Sequence, residues 1–159
     1  MNISGNAPFH EILRQVNGLT IPESPHDDEH TRYAMLELIN NSLRAHREKG
    51  IKEKIRTELK VEDDILNISI TDKGGGFDIS RLPFNIRKPA DEIDTNSNSF
   101  QLYREKNQYK RFGMGLIVAK RLFPVFDINF YDESGKDIPY NPEKVVGTRI
   151  DMKIRWNNA

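Results

Sequence analysis

The amino-acid sequence predicts an α+β two-layer sandwich: a mixed, mainly antiparallel sheet with helices on one face. Three observations predict it. Residues 28–49 carry apolar side chains at helical spacing. Two adjacent stretches, KIRTELKV (54–61) and ILNISIT (65–71), alternate apolar and polar residues as half-buried strands do. A third alternation, VVGTRIDMKIRW (145–156), closes the sequence. Strands adjacent in sequence are expected to pair as hairpins, and the helices to cover one side of them.

The elements follow in order. FHEILRQVNGL (9–19) places Phe9, Ile12, Leu13 and Val16 on one side of a short helix. TIPESPHDDEH (20–30) breaks it with two prolines, and the acids Asp27, Asp28 and Glu29 suit a helix start. The next helix runs from about Asp28 to Lys49 with Met35, Leu36, Ile39 and Leu43 as its apolar face, and Gly50 is its stop. In the first strand Ile55, Thr57, Leu59 and Val61 share a face; in the second Leu66, Ile68 and Ile70 do, with EDD (62–64) as the turn between them. The second strand runs straight into DKGGGFD (72–78). Residues from about 84 to 112 are polar, with clustered Asn and Ser, and read as a long mobile loop, a length that in compact domains usually serves function. GMGLIVAKRLF (113–123) opens a third helix, DINFYD (127–132) is a strand, and ESGKDIPYNPEK (133–144) is turn-rich. In the last strand Ile150, Met152, Ile154 and Trp156 face one way.

Bulk composition narrows the function classes. The 159 residues suit one domain, here residues 28–156 behind an N-terminal extension of residues 1–27. Lys+Arg and Asp+Glu both number 24, so nothing suggests a broad nucleic-acid surface. Cysteine is absent, which excludes a disulfide framework and thiolate metal sites. No apolar run is long enough to span a bilayer, and MNISGNAPFHEIL has no signal-peptide pattern, so the protein is expected to be cytoplasmic.

The second helix poses the functional question. ELINNSLRAH (37–46) holds a glutamate, two asparagines and an arginine where helix formation favours other residues. Glu37, Asn41 and Arg44, at i, i+4 and i+7, share one polar face. A carboxylate, an amide oxygen and a guanidinium there suit a water, a Mg²⁺ and a phosphate; alone, they would equally suit a solvated helix face. Glycines mark three junctions, at 74–76, 113–115 and 147, where backbone can turn sharply or approach a ligand. GMG opens a helix whose free N–H groups form a ready anion site. Asp72, at a strand end just before its glycines, can accept a hydrogen bond from a ligand amine. Gly147-Thr148 is the weakest of these signals, since a bulge or turn explains it nearly as well. The histidines at 10, 26, 30 and 46 are too scattered for a metal site, and His10 reads as a surface residue.

ELINNSLRAH, DKGGGFD, GMGL and VVGT, in this order, resemble the boxes of the GHKL ATPases, the superfamily of gyrase-type ATPases, Hsp90 chaperones, histidine kinases, MutL-like repair proteins and anti-sigma serine kinases. The likeness spans about residues 28–155 and implies the Bergerat ATP-binding fold. It implies that Asn41 coordinates Mg²⁺ held by the ATP phosphates, and that Asp72 meets the adenine amino group. Gly74 and Gly76 would shape the adenine pocket, with Thr148 beside it. Gly113, Gly115 and Leu116 would place backbone N–H groups near the phosphates. Glu37 sits where gyrase-type members carry the water-activating base, and Lys110 and Arg111 end the lid-like loop within reach of a γ-phosphate. Arg44 and GGGFDISRL resemble the histidine-kinase side, where Lys or Arg is frequent and gyrase-type relatives tend to have aspartate.

The resemblance therefore implies a Mg-ATP-binding, histidine-kinase-like domain in bacterial-type signal transduction. About 27 residues precede the helix that carries its first box, too few for the two long helices that carry an acceptor histidine. The γ-phosphate is expected to pass to a side chain of a partner protein, with Glu37 as base, as in the anti-sigma kinases. The alternative is an ATP-dependent switch that sequesters a regulator with little or no turnover, residues 1–27 offering a homodimer or partner surface. A plain ATPase, with Glu37 activating water, is a third reading. No nucleic-acid or membrane partner is expected.

Overall fold

A computed structural model describes residues 1–3, 7–18, 28–76 and 114–155. Its elements are β1 (Asn2–Ile3), α1 (Phe9–Asn17), α2 (Asp28–Lys49), β2 (Ile55–Glu62), β3 (Ile65–Thr71), α3 (Met114–Leu122), β4 (Val125–Tyr131), β5 (Asp137–Ile138) and β6 (Gly147–Arg155). The expected lid at 84–112 and the side chain of Trp156 lie outside the described residues.

The six described strands form one sheet in the order β1-β2-β3-β6-β4-β5, and every described pairing is antiparallel. Periodicity foretold the long strands but missed β1 and β5, which at two residues each are too short to show an alternation. Hairpin pairing holds for β2 and β3. The final strand, however, inserts between β3 and β4, with Ile70 opposite Ile150 on one side and Ile150 opposite Ile128 on the other.

Local chemistry sets the boundaries. Helix α2 ends where Gly50 takes φ 66°, while Ile51 N–H reaches back to the His46 carbonyl at 2.9 Å and Gly50 N–H to that of Arg47 at 3.3 Å. That is a Schellman stop, satisfying carbonyls the helix would otherwise leave open. Between β2 and β3 the two-residue loop is Asp63-Asp64, with φ 49° and 61°. Left-handed conformation at both positions matches the twist of the flanking strands, and aspartate tolerates it better than most residues do.

A single apolar core lies between the helices and one face of the sheet. It joins Ile12 and Val16 of α1, Met35, Leu38, Ile39 and Leu43 of α2, and Leu116 and Ala119 of α3 to Leu66, Ile68, Ile70, Ile150 and Met152 of the central strands. Leu36, expected in the apolar face, is only partly buried, and Leu38 is the better-buried neighbour. Val61 lies exposed at the far end of β2. The opposite face of the sheet is polar: Ser69, Asn129, Arg149 and Asp151 form a connected hydrogen-bonded group there. The segment ahead of α2, expected to be an extension, contributes β1 to the sheet edge and α1 to the helical layer against α2. Among the described residues no helix is long and apolar enough to cross a membrane.

Candidate functional site

The site grows from the end of β3. Strand alternation turns Asp72 towards the helical layer, where its residue is only 8% exposed. The Ser42 hydroxyl donates to Asp72 Oδ2 at 2.6 Å, and Gly74 N–H donates to Oδ1 at 2.8 Å. Burial pushes the Asp72 carboxyl above the usual carboxylate range, and these two hydrogen bonds pull it partly back. Among the described residues the groups that bear on its ionisation are a hydroxyl, backbone N–H groups and the His46 ring, with no arginine or lysine among them. A desolvated carboxylate without such a partner, and with an unused lone pair on each oxygen, suits a neutral N–H donor such as a ligand amine.

The glycines expected around it are required by space. A Cβ on Gly147 would stand 1.9 Å from the Asp72 carbonyl oxygen, so only glycine lets β6 pass the turn. Gly76 takes φ 69°, and a Cβ there would meet Phe130 Cδ1 at 2.9 Å. At Gly74 a Cβ would stand 2.7 Å from that of Ala45, so helix and turn are in close contact. Thr148 is buried, and its carbonyl accepts the Asp72 N–H at 2.9 Å.

On α2, Asn41 is buried although polar, and Glu37 and Arg44 are half-buried. Asn41 precedes Ser42, so its position is tied to that of Asp72 through the Ser42 hydrogen bond. Leu116 packs its side chain into the core. Gly115 lies in the first turn of α3, which begins at Met114. Lys110, Arg111 and Gly113 lie outside the described residues.

The family model for histidine kinase-, DNA gyrase B-, and HSP90-like ATPase matches residues 26–156. The chain belongs to this ATPase family. No curated protein matches the chain. The matched span holds every element from α2 to β6, which makes this an ATP-binding, histidine-kinase-like ATPase domain.

The family binds ATP, generally with Mg²⁺. The donor chemistry fits both. Mg²⁺ held on phosphates keeps most of its shell as phosphate oxygens and water and asks little of the protein. Asn41 offers one amide oxygen of the hard kind it takes, and no group of three acidic, histidine or cysteine side chains gathers a metal among the described residues.

Three residues that hold the Asp72 turn were given no part in a site by the sequence: Ser42, His46 and Tyr131. Ser42 anchors the Asp72 carboxylate. His46, fully buried, accepts the Lys73 N–H at Nε2 at 2.8 Å and bonds the Glu53 carbonyl through Nδ1 at 3.0 Å. The Tyr131 hydroxyl donates to the Asp72 carbonyl. A signal for His46 did exist: Ile39, Leu43 and His46 stand at i, i+4 and i+7, so the histidine continues the apolar stripe of α2. A polar side chain on a buried stripe needs buried partners.

Proposed function

We propose that the domain binds Mg-ATP and transfers its γ-phosphate to a side chain of a partner protein. The observation that carries the nucleotide half is Asp72, a buried carboxylate held by Ser42 and Gly74, with no arginine or lysine of the described residues bearing on it. It is built to accept the adenine amino group, and Gly74, Gly76 and Thr148 complete the walls around it.

The transfer half rests on α2. Asn41 supplies an oxygen to Mg²⁺, whose charge would offset that of the phosphates. Arg44, with Lys110 and Arg111, supplies further positive charge, and the N–H groups at Gly113, Gly115 and Leu116 receive phosphate oxygens. Glu37, one turn before Asn41, accepts the proton of the attacking hydroxyl. Positioning and charge neutralisation carry most of such a reaction.

A second reading, an ATP-dependent switch that sequesters a regulator, draws on the N-terminal segment. Arg32 of α2 donates to the Val16 carbonyl at 2.5 Å and Arg47 to the Ala7 carbonyl at 3.2 Å, so a ligand on α2 can be felt by α1.

The test incubates the protein with Mg²⁺ and γ-phosphate-labelled ATP and follows bound nucleotide, labelled protein and free phosphate together. Phosphotransfer or release that disappears in Glu37→Ala while ATP binding persists supports catalysis. ATP binding without turnover in wild type, even when cell extract supplies acceptors, favours the switch. No ATP binding at all overturns both readings.

A further inference from the structure

The peptide unit joining Asp72 to Lys73 is gripped at both ends. Its carbonyl oxygen accepts the Tyr131 hydroxyl, from β4. Its N–H donates to His46 Nε2, from α2, at 2.8 Å. The neighbouring N–H groups have partners of another kind: Asp72 N–H goes to the Thr148 carbonyl, Gly74 N–H to the Asp72 carboxylate and Gly75 N–H to the Val146 carbonyl. Lys73 N–H is thus the one in the 72–75 turn that a helix side chain holds. Because the backbone N–H occupies Nε2, the ring proton sits on Nδ1 and donates to the Glu53 carbonyl. With His46 fully buried, water is poorly placed to replace either bond.

We infer that His46 is a positioning residue for the adenine pocket: with Tyr131 it clamps the Asp72–Lys73 peptide plane and so fixes the direction of the Asp72 carboxylate. This rests on the ATP-binding reading above. The backbone torsion between the Asp72 Cα and its carbonyl is set by that plane. If the plane rotates, Gly74 N–H moves relative to Oδ1 and the carboxylate loses its fixed aim. The Glu53 end of the ring ties the same turn to the connection before β2. The two hydrogen bonds of the His46 ring run to Lys73 and Glu53, neither of them assigned above to the phosphates, so its effect falls on the base and not on the triphosphate.

Two near-isosteric substitutions separate the ring's two bonds. His46→Gln places an amide oxygen near Nε2 and can keep the Lys73 bond. His46→Asn places its amide near Nδ1, can keep the Glu53 bond, and leaves Lys73 N–H unmatched. ATP, GTP and inorganic tripolyphosphate are titrated with Mg²⁺ into wild type and both variants. We expect His46→Gln to stay within about twofold of wild type for ATP, and His46→Asn to lose about tenfold, the order of one buried hydrogen bond. We expect the preference for ATP over GTP to shrink in His46→Asn alone, with tripolyphosphate binding unchanged in both. Equal ATP affinities in the two variants, or a loss shared by tripolyphosphate, overturn the role. Amide exchange in wild type keeps the idea exposed even if His46→Asn does not fold. Lys73 N–H must be protected and the His46 proton must sit on Nδ1; a fast-exchanging Lys73 amide or an Nε2 proton overturns the clamp. Wild type that binds no ATP brings down the nucleotide reading itself, a result distinct from any difference between the variants.

Discussion

Asp72 and Asp151 lie on opposite faces of the same sheet, and each accepts a serine hydroxyl. Ser69 donates to Asp151 at 2.5 Å and Ser42 to Asp72 at 2.6 Å. There the likeness ends. Asp151 also takes Asn129 at 3.0 Å and the Arg149 guanidinium at 2.7 Å, and Arg149 in turn grips Asp137 with two bonds. That carboxylate is neutralised where it stands, and its role is complete within the chain. Asp72 is more deeply buried and, among the described residues, is given hydroxyl and amide donors in place of an Arg or Lys. Burying an uncompensated charge costs stability, so its presence points to a ligand group that completes it. The difference separates a structural aspartate from the one proposed above for binding.

The largest expected effect that sharpens this contrast comes from Asp72→Asn. ATP affinity should fall by about 1–3 kcal/mol, the cost of a mismatched buried polar contact. The ligand-free protein should be no less stable at neutral pH, because asparagine still accepts from Gly74 and can donate to Ser42. The sign follows from linkage: a carboxyl raised by burial stabilises the fold most below its unfolded pKa, and that contribution is lost as pH rises through the folded value. The advantage of Asp72→Asn should therefore shrink on acidification, as thermal melts across pH would show. A variant that binds ATP like wild type would break the contrast.

Asp151→Ala should behave in the opposite way. It should lower stability by about 1.5 kcal/mol, the lower range for charge-assisted bonds given partial solvent access, and leave ATP affinity alone. Urea unfolding and nucleotide titration on the same preparation read both quantities. The smallest effect is expected from Tyr131→Phe, about 1 kcal/mol for one hydrogen bond. It also carries a pH signature. Burial and the nearby Asp72 push the Tyr131 hydroxyl up to about 12. Its share of stability is intact below its unfolded value of about 10 and is lost as pH climbs towards 12. Melts over that interval should fall more steeply for wild type than for Tyr131→Phe.

Much of this was legible in the sequence because it repeats. The core faces of α2, β2, β3 and β6 appear as periods of 3.6 and 2, and the glycines mark places where a Cβ has no room. What stayed hidden was relational. Nothing in VVGTRIDMKIRW says that it will lie between β3 and β4, since strand order is decided by packing at long range. Ser42 and Tyr131 are ordinary alone, His46 reads only as one of four scattered histidines, and each acquires meaning only opposite residues 72–73. The polar face of Glu37, Asn41 and Arg44 drew attention by its composition, whereas the face that touches the Asp72 turn is Ser42, Ala45 and His46.

The central place of β6 has a consequence for how this protein comes into being on the ribosome. Until Gly147–Arg155 has emerged, β3 and β4 lack the strand they share, and Asp72 lacks the Thr148 carbonyl that fixes its backbone. On the proposed reading of Asp72 as an adenine-binding residue, nucleotide therefore cannot chaperone the growing chain before β6 is made, because β6 completes the backbone around it. A message cut short before that point yields two hairpins with open inner edges, species prone to join with one another.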